Sequence, residues 1–202
     1  MTGASAPHLP VLVIASGNPH KVEEIIAMLH AVDLEVRQQP EGLSIEETGR
    51  TYAENAALKA SAVAELTGCW ALGDDSGLEV DALGGAPGLY SARYAPTDRE
   101  RIHRLLHELG SSPYRSASFN SAMALADPQG RVVEQVEGIC RGEILTAPLG
   151  HGGGYDPIFW VREAGMSYAQ LPRHLREKLG SRGKAARRIA PCLLRHLGVH
   201  TA

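Results

Sequence analysis

The chain runs Val11-Leu12-Val13-Ile14-Ala15-Ser16-Gly17-Asn18-Pro19-His20-Lys21 close to its N-terminus. A short β-branched run that ends at a Gly-Asn-Pro turn predicts a buried strand over residues 9–15. Asn18 is a favourable N-cap and Pro19 suits the first helical position, so a helix should follow at once. Helix N-terminal amides favour anions, and Lys21 adds a positive charge. The stretch predicts a phosphate-binding strand–turn–helix unit, although an ordinary turn with a solvated lysine has the same pattern.

The remaining patterning alternates helices with short strands. Thr51 and Glu54 form a capping-box pattern at the start of a long helix, for which Gly68 is a suitable end. Proline removes a hydrogen bond inside a helix, so Pro191 predicts a kink or a restart in the last helix. The mixture predicts an α/β fold with a mixed central sheet and flanking helices. We predict strands over residues 34–38, 70–73 and 78–83, a hairpin of 116–126 with 131–140, and helices over 51–68, 97–110 and 183–197.

Composition limits the classes of partner. The 202 residues, 44% of them apolar, suffice for one large domain or for two lobes around a shared sheet. A net charge of −3, no long basic run and 5% aromatic residues argue against duplex and single-stranded nucleic acid as partners. The apolar run over residues 11–15 is too short to span a membrane, and residues 1–8 lack a basic signal region. We expect a flexible tail over 1–8, no membrane partner and a cytoplasmic protein with reduced thiols.

Two pairs of acidic residues suggest a metal site. They are Glu46-Glu47 and Asp74-Asp75, and four carboxylates repel one another unless a cation neutralises them. Mg²⁺ typically takes one or two carboxylates together with waters and substrate phosphates. Asp74-Asp75 follows a predicted strand, where neighbouring side chains point to opposite sides, so one acid can hold metal while the other orients it. Glu46-Glu47 considered alone would more usually indicate a solvated loop.

Seven ordered motifs resemble the inosine/xanthosine triphosphate pyrophosphatase family. The match extends from Val11 to Leu197, and the ordered set is far more specific than any single motif. The motifs here are Ser-Gly-Asn-x-x-Lys, Glu-Glu-Thr-Gly, Glu-Asn-Ala-x-x-Lys-Ala, Asp-Asp-Ser-Gly-Leu-x-Val-Asp-x-Leu-Gly-Gly-x-Pro-Gly, Tyr-Ser-Ala-Arg-Tyr, Gly-Tyr-Asp-Pro-Ile-Phe and Ser-Arg-Gly-Lys-Ala. The resemblance implies Mg²⁺-dependent hydrolysis of dITP, ITP and XTP to the monophosphate and pyrophosphate. It also implies a cytoplasmic homodimer, with the active-site cleft between two lobes.

The same resemblance implies roles for individual residues. Asp75 would be the general base and, with Glu46, would hold Mg²⁺, while Asp74 and Glu47 would support the metal. The triphosphate would be bound by Ser16, Gly17, Asn18, Pro19, His20 and Lys21, with Asn55, Lys59 and Ser76 along the phosphate path. The base and sugar would meet Gly153, Gly154, Tyr155, Asp156, Ser181 and Arg182. Arg182 has N–H donors suited to the O6 atom of a 6-oxo purine, which adenine lacks.

Three departures from the family pattern fall in the base-binding part. The family has Gly-Phe-Gly-Tyr-Asp, whereas this chain has Gly152-Gly153-Gly154-Tyr155-Asp156 and lacks the Phe that stacks on the base. Stacking then falls to another aromatic side chain, with Tyr155 and Trp160 as candidates. The family Ser-His-Arg-Gly is Gly180-Ser181-Arg182-Gly183 here. The family lysine is replaced by Arg176, or by Lys178 if the loop shifts.

Two alternatives stay open besides that reading. A Maf-like pyrophosphatase of modified pyrimidine triphosphates shares the strand–Gly-Asn–helix start, but the Asp-Asp-Ser-Gly and Gly-Tyr-Asp-Pro motifs argue against it. A non-catalytic nucleotide sensor would explain the altered base-binding motifs. The complete set of acids argues against a sensor, because mere binding does not need a residue that activates water.

Overall fold

The architecture is a mixed sheet covered by helices on both faces, seen in a computed structural model that describes residues 9–199. The strands are β1 (Val11–Ala15), β2 (Glu35–Gln38), β3 (Trp70–Val80), β4 (Ser116–Ala126), β5 (Val132–Ile144), β6 (Phe159–Val161) and β7 (Met166–Ser167). The helices are α1 (Pro19–Met28), α2 (Tyr52–Thr67), α3 (Asp98–Leu109), α4 (Arg173–Leu179) and α5 (Ser181–Leu197). The strand order is β2-β1-β3-β4-β5-β6-β7. β1 is parallel to β2 and β3, and the other pairs are antiparallel, which confirms the predicted mixed sheet.

β1 is buried on both faces, as its continuous apolar sequence predicts. Leu12 and Ile14 pack with α1 and α5 on one face of the sheet. Val13 and Ala15 pack with the small side chains of α2 on the other face. The helices that follow β1 and β2 therefore cover opposite faces of the sheet.

The long strands β3, β4 and β5 join two lobes. The first lobe contains β1, β2, α1, α2 and most of α5. In the second, Leu105 and Leu109 of α3 pack with Phe159 of β6 and Leu179 of α4. A cavity opens between the lobes, lined by Lys21 from the first lobe and Tyr168 from the second. The fold class predicted from the sequence is confirmed.

The predicted strands over residues 70–73 and 78–83 form one element, β3, which continues to Val80. Asp74 and Asp75 therefore lie inside a strand and not at its end, which corrects the sequence-based expectation. The two acids do not end β3 because β4 pairs with it along its whole length, from Ala71 to Val80. The last predicted residues, Asp81–Leu83, form a short 3-10 turn instead.

α5 begins at Ser181, two residues before the predicted start, and runs through Pro191 to Leu197 without a restart. Its apolar side chains Ile189 and Leu193 stay fully buried on either side of the proline. Packing of this face against the sheet offsets the lost backbone hydrogen bond. The predicted tail over residues 1–8 lies outside the described residues.

Candidate active site

The candidate site lies where β1 ends beside β3. Ala15, the last residue of β1, pairs with Gly73, so the β1 side of β3 is open between Asp74 and Leu78, before the isolated bridge of Glu79 with Pro87. Because α1 and α2 cover opposite faces, this is the point at which the chain connections diverge. Open α/β sheets characteristically bind ligands in such a crevice, at the carboxyl ends of the strands.

The turn after β1 folds as predicted, but most of its backbone amides donate hydrogen bonds within the turn itself. The Asn18 side-chain oxygen accepts hydrogen bonds from the backbone amides of His20 at 3.0 Å and Lys21 at 3.4 Å. The Ser16 hydroxyl accepts from the Asn18 amide at 3.2 Å. Gly17 and Pro19 complete this exposed turn. The available positive charge is therefore the Lys21 ammonium, which lies 3.1 Å from a carboxylate oxygen of Asp74.

Asp74 and Asp75 point to opposite faces, as their alternation in a strand predicts. The Asp74 side chain is fully buried and lies between Lys21 and Arg182. Burial would raise its pKa, but the charges of Arg182 and then Lys21 hold the pKa far below the usual range of an aspartate. Asp74 is thus an ionised, enclosed acid that fixes two cations.

Hydrogen bonds to neighbouring side chains fix the position of the Arg182 guanidinium. Its Nε and Nη2 donate to the two Asp74 oxygens at 3.3 Å, Nη2 also donates to the Ser76 hydroxyl at 3.0 Å, and Nη1 donates to Glu24 at 2.5 Å. Four of the five N–H groups of a guanidinium are therefore engaged. Its side chain is 17% exposed and lines the cavity. The second N–H of Nη1 makes no hydrogen bond to residues 9–199.

On the opposite face, Asp75 belongs to a second charged cluster. Asn55 Nδ2 donates to one oxygen of Asp75 at 3.1 Å, and Lys59 Nζ contacts the other at 3.2 Å. The same Nζ lies 3.1 Å from Glu47, and Arg93 contacts the other Glu47 oxygen at 3.2 Å. Partial burial opposes ionisation of Glu47, yet Lys59 and Arg93 lower its pKa. Asn55 and Lys59 meet here because they are four residues apart on α2.

The four predicted metal carboxylates are divided between the two faces. Within residues 9–199, no group of three or more His, Cys, Asp or Glu side chains is arranged to hold a metal ion. Glu47 and Asp75 nevertheless share one cation, the Lys59 ammonium, and Glu46 is an exposed neighbour of Glu47. One or two carboxylates, completed by waters and substrate phosphates, are the usual Mg²⁺ ligands, and Glu47 with Asp75 fits that requirement. Asp74, enclosed by Lys21 and Arg182, lies apart from them.

The cavity between the lobes has a volume of about 230 Å³ and borders the Asp74 cluster. The predicted residues Ser76, Gly154, Tyr155, Asp156, Ser181 and Arg182 line it. Ser181 is buried, with its hydroxyl 2.8 Å from that of Ser121. Gly153 lies beside this lining, and the next amide, Gly154 N, donates to Asp98 at 2.6 Å.

Asp156 and Arg176 form an ion pair at 3.2 Å on the second lobe. Burial raises the pKa of Asp156 to about 6, and Arg176 only partly offsets that rise. The Arg176 guanidinium also lies over the Tyr168 ring, 5.2 Å from its centre. Lys178 is exposed on the same short helix. The structure thus brings Arg176, and not Lys178, to Asp156.

The aromatic side chains nearest the cavity differ from those singled out in the sequence. Tyr155 is 4% exposed, and its hydroxyl donates to the Ser91 carbonyl, so it is part of the hydrophobic core. Trp160 lies on β6, outside the cavity lining. Phe119 and Tyr168 do line the cavity, and sequence reasoning missed both. Alternation along β4 places Phe119 on the same face as Ser121, but only the structure shows that this face lines the cavity.

Comparisons with known proteins show the family to which the sequence belongs. The sequence model of the Ham1 family matches residues 12–192. A dITP/XTP pyrophosphatase of Nostoc sp. strain PCC 7120 is 53% identical over 182 residues, covering 90% of this chain and 93% of that protein. One of Synechococcus sp. strain CC9311 is 52% identical, with 90% and 88% covered.

Solved structures give the same result. A HAM1 protein from Coxiella burnetii superimposes with a TM-score of 0.85 at 37% identity, covering 93% of this chain and 100% of that one. A nucleoside-triphosphatase, dITP/XTP pyrophosphatase, from Mycobacterium abscessus gives a TM-score of 0.72 at 36% identity, with 90% and 99% covered. Sequence and fold agree, and the chain belongs to the Ham1 family.

Proposed function

We propose that this protein hydrolyses the nonstandard purine nucleotides dITP, ITP and XTP to nucleoside monophosphate and pyrophosphate. The observation that carries the proposal is the cluster of Glu47, Lys59 and Asp75 at the end of β1, beside a separate cavity. Family membership and the printed names of the relatives support the same reaction. Acids and cations beside an open crevice suit phosphoryl chemistry, which depends on positioning and charge neutralisation.

Asp75 is the proposed general base. Asn55 and Lys59 contact its two oxygens, which fixes the position of the carboxylate. A carboxylate in this position accepts a proton from an attacking water molecule. Lys59 and Lys21 reach the two sides of the β3 edge, where they would bind phosphate oxygens. The turn from Ser16 to Lys21 would flank the same phosphates.

Mg²⁺ is the proposed cofactor, with Glu46, Glu47 and Asp75 as its protein ligands. When bound, Mg²⁺ supplies positive charge against the phosphate oxygens. The Lys59 ammonium, 3.1 Å and 3.2 Å from the two carboxylates, indicates that the site accommodates a cation. We assign Asp74 a supporting role, because it fixes Lys21 and Arg182 in place.

Base recognition is assigned to the cavity. The remaining Nη1 hydrogen of Arg182 would donate to the O6 atom of a 6-oxo purine, and the 6-amino group of adenine offers no acceptor there. Ser181, Asp156 and the backbone of residues 153–155 would border the base and sugar. Ser76 positions Arg182 through its hydroxyl, and Arg176 anchors Asp156.

The physiological setting proposed is that of a cytoplasmic homodimer with a nucleoside triphosphate as its small-molecule partner. The net charge of −3 supports the absence of nucleic acid as a partner. Among the helices of residues 9–199, none has the length and apolarity needed to cross a bilayer. Sedimentation at several protein concentrations tests the dimer.

The proposal is tested by pyrophosphate release with Mg²⁺ from dITP, XTP, dATP, dGTP and dUTP in parallel. Selective release from dITP and XTP is the expected result. Release from all five would mean that the altered loop no longer selects the base. Release only from modified pyrimidine triphosphates, added as a further set, would indicate a Maf-like enzyme, and binding of dITP without turnover would indicate a sensor.

A further inference from the structure

The floor of the cavity changes from charged to aromatic along two paired strands. Residues directly opposite each other in an antiparallel pair share a face, and the side-chain period is two. Asp74 pairs with Met123, Ser76 with Ser121, and Leu78 with Phe119, all on one face. From Asp74 to Leu78 the strand advances four residues, which is about 13 Å. Cations thus lie at one end of the floor and an aromatic ring at the other.

The aromatic end has two rings in fixed positions. The ring centres of Phe119 and Tyr168 are 5.4 Å apart, and their planes meet at 63°. Phe119 also packs on Phe159 at 4.4 Å, and Phe159 is fully buried. The guanidinium of Arg176 lies over the Tyr168 ring, 5.2 Å from its centre. Both rings therefore have support behind them and a free surface towards the cavity.

Gly180 gives the Tyr168 ring its space. A Cβ atom added at Gly180 would lie 2.4 Å from the Tyr168 hydroxyl oxygen and 2.5 Å from the Arg176 carbonyl oxygen. No side chain fits at this position while Tyr168 occupies its place. The loop of residues 150–154, of which Gly154 lines the cavity, contains no Phe, Tyr or Trp. Phe119 and Tyr168 are therefore the rings in this lining that are free to contact a flat ligand.

We propose that Phe119 and Tyr168 form the wall on which the purine base of the substrate packs. This inference rests on the proposed function and names the specificity-determining side chains of the same site. A nucleotide whose phosphates contact Lys21 would extend along the floor and place its base against these rings. Packing on aromatic rings binds any purine face, so discrimination at position 6 stays with Arg182.

The experiment measures Mg²⁺-dependent pyrophosphate release from dITP and, by calorimetry, the affinity for dIMP. Phe119→Leu and Tyr168→Leu should raise KM and the Kd for dIMP about 10-fold or more, with kcat within about threefold of wild type. Tyr168→Phe, which keeps the ring, should restore wild-type values. Inhibition by inorganic tripolyphosphate, which has no base, should be unchanged in all three variants.

Phe159→Leu is the matched control, because it disturbs the core beneath Phe119 without lining the cavity. An equal rise in KM and in the Kd for dIMP in this variant would show that Phe119 acts through the core. That result would overturn the proposal that the base packs on Phe119 and Tyr168. Unchanged dIMP binding in Phe119→Leu and Tyr168→Leu would also overturn it. Wild type could also bind dIMP without hydrolysing dITP, in which case the proposed hydrolysis fails. Weaker dIMP binding by Phe119→Leu and Tyr168→Leu would then still support packing of the base on these two rings.

Discussion

Lys59 holds together two carboxylates that would otherwise repel each other at the centre of the site. Its ammonium lies between Glu47 and Asp75, and only 11% of its side chain is exposed. Lys59→Met should lower the free energy of unfolding by about 1–3 kcal/mol, because two partly buried charges lose their partner. Millimolar Mg²⁺ should recover more stability in this variant than in wild type.

Urea unfolding with and without Mg²⁺ makes this comparison. Lys184→Met is the control, since Lys184 pairs with Glu163 only at 4.0 Å, on the surface. The same Mg²⁺ response in both variants and in wild type would argue against a cation site at Glu47 and Asp75.

Asp75 is the residue on which turnover should depend most. Asp75→Asn keeps the size of the side chain, but an amide cannot take up the proton from water. We expect a loss of at least about 100-fold in kcat with an unchanged far-ultraviolet circular dichroism spectrum. Asp33→Asn, at an exposed position, serves as the control. Rates near those of wild type in Asp75→Asn would remove the general-base assignment.

Asp156 should make stability depend on pH. Burial raises its pKa to about 6, while Arg176 opposes the rise, as Arg182 does to a smaller extent, and Glu24 adds to it. The folded state therefore binds the proton more tightly than the unfolded chain, and the stabilisation is full below about pH 4 and is lost as pH rises through 6. Between pH 5 and 7 this loss amounts to about 1 kcal/mol.

The measurement is urea unfolding of wild type and Asp156→Asn at pH 5 and pH 7. Relative to wild type, the variant should gain about 1 kcal/mol at the higher pH, because the asparagine does not titrate. A difference that is the same at both pH values would contradict the raised pKa.

At the scale of residues, several contacts could be predicted from the sequence and others could not. The opposite orientation of Asp74 and Asp75 follows from strand alternation, and the meeting of Asn55 with Lys59 follows from helical spacing. The engagement of Arg182 with Asp74 was not predictable, because 108 positions separate the two residues and no local pattern links them. That engagement leaves Arg182 with one N–H that has no partner among residues 9–199, where the sequence suggested a side chain fully available to the base.

At the scale of elements, α2 packs on β3 without intervening side chains. A Cβ added at Gly73 would lie 2.0 Å from the Ala56 carbonyl oxygen. Gly73→Ala should therefore destabilise the protein by about 2 kcal/mol or more, since the backbone of the helix has to move. Activity should fall as well, because α2 carries Asn55 and Lys59.

Thermal unfolding and dITP turnover test this packing. Gly153→Ala is a suitable control for stability, because the nearest atom to its added Cβ is 3.6 Å away. Equal stability of Gly73→Ala and wild type would mean that α2 is free to shift away from β3.

Helix ends were the most predictable feature of the elements. Asn18, Thr51 and Thr97 are N-caps as their sequences indicate, and Gly68 is a left-handed C-cap. The capping box at Thr51 is only half formed, since the Glu54 carboxylate accepts from the Arg50 amide instead. The short elements α4, β6 and β7 were missed, because seven, three and two residues are too few to show a period.

At the scale of the whole molecule, the sequence pattern was sufficient to predict the mixed sheet but not the cavity between the lobes. Alternating strands and helices predict layers, and the parallel strand pairs at β1 place a crevice at its end. The cavity depends on the packing of two lobes, which brings Tyr168 opposite Phe119 across 49 residues. Such contacts follow from tertiary structure and have no signature in a single sequence.

The proposed reaction requires that the bond between the α- and β-phosphates is the one cleaved. The most direct measurement is product analysis after incubation of dITP and Mg²⁺ with wild type and with Asp75→Asn. We predict dIMP and pyrophosphate in equal amounts from wild type, and almost no product from the variant. Formation of dIDP and orthophosphate, or equal turnover by the two proteins, would contradict the central claim.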